Sequence, residues 1–273
     1  MKEDTVNQKP IARRTGRAIQ TLTYALVMAG SVCAASASVV TYQINSGGLE
    51  SFNVQIDNTV INGALAGGIL INQVSSNPSM PASYTTVCTD IEGTLYLGQS
   101  YQYETPVTPF SGQTGLDPKW GIPSGNGSAA QAAIQNAAYL FYTYGQLTGT
   151  GIGLSSTTQK AALQLAVWEA LYNTTTSGQV ITGSGARFTI TSGDQAAINQ
   201  ANAWVAVLNG NYGLTGYLLT PATSNNKWWT DGKPPQELLY GVVPEAPTVI
   251  AGALLLLPFA ASTFKILRKK RTA

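Results

Sequence analysis

The stretch "TTQKAALQLAVWEALYN" (residues 157–173) decides how the middle of the chain is read. Its apolar residues recur at helical spacing, not in alternation. Thr157 or Thr158 serves as N-cap, because a hydroxyl oxygen there accepts an orphan N–H of the first turn, and Asn173 stands near the end. On this helix Gln164 shares a face with Ala161, Trp168 and Leu171. A carboxamide in such company must find hydrogen-bond partners or incur a desolvation cost of roughly 1–3 kcal/mol.

Two more helices flank it. "SAAQAAIQNAAYLFYTYG" (128–145) starts at Ser128, a fitting cap, and stops at Gly145, with Ile134, Ala137, Phe141 and Tyr144 on one face. "SGDQAAINQANAWVAVLNG" (192–210) is capped by Ser192 or Asp194 and closed by Gly210. Outside this block the period changes. "VVTYQI" (39–44), "FNVQI" (52–56), "SYTTVC" (83–88) and "SYQYET" (100–105) read as strands, with Gly, Asn and Pro between them. Residues 106–127 read as a long Pro- and Gly-rich loop, and "RFTI", "GYLLT" and "ELLYGVV" as later strands. The order predicts an α+β domain, a β-barrel or β-sandwich with an inserted helical lobe. An N-terminal signal segment and a C-terminal transmembrane helix flank it.

Charge separates the ends from the middle. Of 15 basic and 13 acidic residues, ten basic and three acidic lie in 1–37 and 244–273, leaving five basic and ten acidic between. An acidic middle argues against nucleic acid, whose phosphates need clustered Lys and Arg. Residues 1–37 read as a signal peptide: Arg13, Arg14 and Arg17, an apolar run from Ala18 to Ala35, and a small-x-small site at Ala35-Ser36-Ala37. Residues 38–243 form the exported domain. Residues 244–273 form a tail with an apolar run from Thr248 to Phe264, just long enough to span a bilayer. Lys265, Arg268, Lys269, Lys270 and Arg271 follow it and stay cytoplasmic.

The chain has no histidine, and its two cysteines are Cys33, in the leader, and Cys88. This excludes Ser-His and Cys-His nucleophile pairs and imidazole metal ligands. One cysteine cannot supply a zinc site, and no cofactor is implied. A lone exported cysteine is an intermolecular partner, a reactive thiol or a small buried hydrophobe. A further chemistry needs no histidine: a thiolate attacks a neighbouring carboxamide, expels ammonia and leaves an internal thioester. A glycan hydrolase using Asp90, Glu92 or Glu169 is another reading, and Trp228-Trp229 is either a sugar platform or packing.

Two resemblances follow. Val243, Pro244, Glu245 and Ala246, the apolar run and the basic end together resemble the PEP-CTERM sorting signal, with Ala246 where Pro is usual and Pro247 one place later. That resemblance implies an exosortase-type membrane protease as partner, removal of the tail and delivery to the cell surface; the alternative is a plain membrane anchor. "YTTVCTDIEG", "AAYLFYTY", "QKAALQLAVWEALYN" and "AAINQANAWVAVLN", over roughly 80–210, resemble the bacterial thioester domain of surface adhesins. Its glutamine motif, apolar-Gln-x-x-apolar-apolar, falls on Leu163-Gln164-Leu165-Ala166-Val167-Trp168. The resemblance implies a bond between Cys88 and Gln164, with Thr89 and Leu163 departing from the family's pattern. The expected protein is not an enzyme but a surface or biofilm-matrix adhesin that captures an amine-bearing ligand. The alternative is a non-covalent structural or extracellular-polysaccharide-associated protein with an inert thiol.

Overall fold

The computed structural model describes residues 38–109, 127–173, 187–222 and 235–244, apart from 76, 79, 92, 94, 106 and 211. The predicted leader, most of the tail, Glu92 and Trp228-Trp229 lie outside them. Eight strands and three helices are described: β1 (Ser38–Ile56), β2 (Thr59–Gln73), β3 (Ser83–Cys88), β4 (Ser100–Thr105), β5 (Thr108–Pro109), α1 (Gly127–Tyr144), α2 (Thr157–Tyr172), β6 (Phe188–Ser192), α3 (Gln195–Val205), β7 (Leu214–Leu219) and β8 (Leu238–Pro244).

The strands form one curled antiparallel sheet, a half-barrel, in the order β4-β1-β2-β3-β8-β7-β5, with β6 also on β1. Glu104 N–H donates to Thr220 O and Ala222 N–H to Gln102 O, both at 2.9 Å, so the chain just past β7 meets β4. The two segments read as separate strands at 39–44 and 52–56 are one strand, β1. Val40, Tyr42, Ile44, Phe52, Val54 and Ile56 all point into the core. β3 and β4 have the predicted bounds.

β2 was not expected, because its Gly, Ala and Asn residues have weak strand preference. Pairing with β1 makes it a strand: the register runs from Tyr42↔Gln73 to Ile56↔Thr59, with a two-residue turn in which Asp57 takes φ 52. The register slips between Ser46 and Leu49, where Gly47 and Gly48 face Gly67 and Gly68. A Cβ on Gly68 would lie 2.9 Å from the Gly47 carbonyl and 3.0 Å from the Lys160 stem. The glycines thus let α2 approach the hairpin, and Lys160 Nζ donates to Gly47 O at 2.6 Å.

In sequence the helices interrupt the strands; in space they lie against the sheet. α2 is the centre, touching α1, α3, β2 and β3. Every residue from Ala161 to Tyr172 is buried, so the apolar face expected for Gln164 is in fact the whole circumference. The N-cap of α2 is Ser156, one residue before the predicted pair, accepting from Gln159 N–H. Asp194 caps α3, as one of its two expected residues, but α3 stops at Val205, before Gly210. α1 begins one residue ahead of Ser128 and ends before Gly145 as expected. Among the described residues no helix is long and apolar enough to cross a membrane.

Trp168 sits in the middle of α2, 1 % exposed, with its ring edge-on to Phe188 at 6.2 Å. Trp168→Ala is expected to cost roughly 3–5 kcal/mol, as for large aromatic truncations in cores. Urea unfolding measures it, and an unchanged midpoint would show that this helix is misplaced.

Candidate functional site

β3 is the strand that positions Cys88. One edge pairs with β2 through Ile69↔Thr86, Leu70↔Thr85, Ile71↔Tyr84 and Asn72↔Ser83. On the other edge Gly151 lies beside Thr85, followed by β8 through Val87↔Leu239 and Cys88↔Leu238. Gly151 takes φ 91, and a Cβ there would strike the Thr85 carbonyl, so only glycine brings that loop onto β3.

On the β2 edge, pairing ends at Thr86; by register Gly68 would lie opposite Val87 and Gly67 opposite Cys88. β2 and β3 do not pair past that point, which would leave Cys88's own N–H and C=O unpaired in a buried place. Gln164 takes both. Cys88 N–H donates to Gln164 Oε1 at 2.7 Å, and Gln164 Nε2 donates to Cys88 O at 2.7 Å. The carboxamide acts as one more rung of the ladder, reaching from α2. Cys88 is 3 % exposed and Gln164 1 %. The two residues singled out in the sequence, 76 positions apart, are therefore in direct contact.

The sulfur itself points elsewhere. Cys88 Sγ donates to Gln236 Oε1 at 2.6 Å. Burial pushes the Cys88 thiol well above its usual pKa, and the Asp90 carboxylate adds to the shift, so the sulfur keeps its proton at neutral pH. Asp90 is itself held, its Oδ1 accepting from Gly93 N–H at 3.2 Å and Tyr172 O–H at 3.3 Å. Thr89, the polar departure after the cysteine, is buried with its N–H on Glu237 O at 3.0 Å and its hydroxyl on the same oxygen. The sheet therefore satisfies the polar groups of the threonine that follows the cysteine.

Gln236 was missed. Its only signal is its place two residues before Leu238, and that acquires meaning only once Leu238 is known to pair with Cys88. Of the carboxylates offered as catalytic, Asp90 is fixed in a turn and Glu169 is enclosed within α2. Among the described residues no cluster of His, Cys, Asp or Glu is suited to a metal. Of the sorting motif, Val243 and Pro244 are the last residues of β8, opposite Thr215 and Leu214. Glu245, Ala246 and the basic residues Lys265, Arg268, Lys269, Lys270 and Arg271 lie outside the described residues.

Comparison with protein families, with curated proteins and with solved structures finds no match.

Glu169 lies 2 % exposed, with both carboxylate oxygens enclosed. Burial pushes its carboxyl up to about 7 from 4.5, while Asn173 nearby only eases the shift. The folded chain thus holds this proton more tightly than the unfolded chain does. The stability it contributes is full below about pH 4.5 and is lost as pH rises through 7; the shift corresponds to about 3 kcal/mol. Glu169→Gln, which cannot ionise, is expected to flatten the decline between pH 5 and pH 8. Urea midpoints at the two pH values check this, and parallel profiles for variant and parent would reject it.

Proposed function

We propose that this chain is an exported surface protein whose domain joins Cys88 to Gln164 in an internal thioester and whose tail addresses it to an exosortase-type membrane protease. The observation that supports the thioester is the two-point clasp of the Gln164 carboxamide on Cys88. Hydrogen bonds lie near the plane of a carbonyl group, so the clasp holds the amide edge-on within the ladder. The open faces of Cδ then look along the direction in which the Cys88 side chain leaves the strand. The Cys88 N–H on Oε1 is a fixed donor for the negative charge that develops there on attack. The sulfur bonds to Cδ, the C–N bond breaks, and the thiol proton leaves with the nitrogen as ammonia. A primary amine on a partner later attacks the same carbon. The C–S bond breaks, the sulfur regains a proton and an isopeptide-like amide remains at Gln164. One capture per molecule makes this an adhesin or matrix component and not a turnover catalyst.

The second reading is a passive structural or polysaccharide-associated surface protein. Two observations favour it: the sulfur rests on Gln236, and Asn173 clasps Phe188 in the same two-point manner, at 2.8 Å to each backbone group, with no cysteine involved. For the architecture, the hydrogen bonds from β4 to the chain past β7 support the barrel over the sandwich. The leader at 1–37 and the membrane-spanning tail at 244–273 belong to this proposal on their sequence pattern.

Intact mass separates the two readings. Under the first, the folded domain weighs one ammonia less than its sequence, methylamine restores mass as an adduct at Gln164, and a thiol appears at Cys88. Cys88→Ala and Gln164→Ala each abolish the deficit. A full sequence mass with an ordinary thiol leaves the passive protein standing.

Sorting has its own test. Truncation after Pro244, which keeps β8, is expected to release the protein from the cell. In a host with the matching protease, the surface form is expected to lack the basic end. Peptides containing Lys269 and Arg271 in most surface protein would instead mark a plain anchor.

A further inference from the structure

Cys88 touches two glutamines, and the proposed bond uses one. The other, Gln236, stands two residues before Leu238, the partner of Cys88 on β8, so both side chains rise on the same face of the ladder. Its Oε1 lies 2.6 Å from the sulfur. Its backbone is held in place: Tyr103 O–H reaches Gln236 O at 3.5 Å. Gly93 closes the other side, where a Cβ would come within 2.8 Å of Gln236 Cγ and 2.9 Å of Asp90 Oδ2. Gln236 is half-buried while Cys88 is enclosed, so among the described residues this side chain runs from the sulfur toward solvent.

We propose that Gln236 is the positioning residue of this site: it holds the Cys88 sulfur and covers it, and an incoming amine reaches the acyl carbon only when this side chain turns aside. The amine step rests on the Cys88–Gln164 thioester; the hold on the sulfur does not. In the thiol form Oε1 accepts the S–H. The acyl form has no proton to give, so the carboxamide turns its Nε2–H to the sulfur. Among the described residues, the titratable groups around the sulfur are Asp90 after β3, Tyr103 of β4 and, behind Asp90, Tyr172 of α2.

The test is alkylation of Cys88 by iodoacetamide as a function of pH, on the folded free-thiol form. That form is the purified chain if it has full mass, or the methylamine-opened chain if it lacks an ammonia. Gln236→Ala removes the acceptor that favours S–H. It is expected to move the midpoint to lower pH and to speed alkylation at pH 8 about tenfold or more. Gln236→Glu puts a carboxylate against the sulfur and is expected to move the midpoint to higher pH. Opposite shifts separate a direct hold from general loosening, which moves both variants the same way. Shifts in one direction, or superimposable profiles, overturn the proposal. A full mass in the parent chain ends the thioester reading alone and leaves this comparison intact. If the deficit is present, Gln236→Ala is expected to keep it after folding and to open faster with methylamine.

Discussion

Where β2 stops pairing with β3, the next N–H and C=O on that edge belong to Cys88, and both are buried. Unpaired backbone groups in such a place cost about 1–3 kcal/mol each. The Gln164 carboxamide offers one acceptor and one donor at the spacing of a backbone unit, so it replaces the missing strand. That contact fixes the height of α2 over the sheet and its rotation about its own axis. A second contact of the same kind, Asn173 on Phe188 of β6, fixes the far end. Between the two rivets α2 is buried on every side, and ahead of them the glycines of β1 and β2 give room to Thr157 and Lys160 of its first turn. The α1 helix repeats the device more lightly, Gln135 accepting from Tyr212 N–H and Asn136 from Gly210 N–H.

Much of this was legible in the sequence for local reasons. The helices announced themselves through period and caps, and β3 and β4 through alternating side chains between turn residues. β2 was not legible, because nothing in "NGALAGG" prefers a strand; its structure comes from β1, a partner that a local reading does not supply. The end of α3 was misjudged for a similar reason: Gly210 is a valid stop signal, but the helix had ended by Val205, where Leu208 N–H turns back to Val205 O. Cys88 and Gln164 were legible as a pair only through a family's motif. Burial of Gln164 followed from its apolar company, but the clasp depends on β2 leaving Cys88 open, a fact of sheet register. Gln236 depends on register as well and had no local signal.

The electrostatics bear on both functional readings. Burial first, and Asp90 beside it, hold the Cys88 thiol neutral, and the chain has no histidine to take its proton. Attack on a carboxamide therefore cannot draw on a preformed thiolate, and the work falls to placement: an electrophile held edge-on, one donor on its oxygen and little water. Well-oriented intramolecular attack gains about 7–11 kcal/mol from placement alone. The same enclosure shields a finished thioester from hydrolysis. In the passive reading these features are simply a well-satisfied interior, and the Asn173 clasp shows that the fold uses carboxamides this way without chemistry.

β8 ties the site to the sorting question. Its first residues support the sulfur: Leu238 pairs with Cys88, and Gln236 just ahead of it holds Sγ. Its last residues, Val243 and Pro244, are the start of the proposed sorting motif and pair with Thr215 and Leu214 of β7. The strand lies between β3 and β7 in the sheet, so fraying from the motif end loosens β7 first and the Cys88 neighbourhood last. A protease acting beyond Pro244 meets a motif whose first half is already folded and leaves every rung of β8 in place. One that needed Val243 extended would have to strip the pairs with β7 first. Under the sorting reading, the fold therefore restricts cleavage to the C-terminal side of Pro244 and lets the tail be removed without disturbing the clasp.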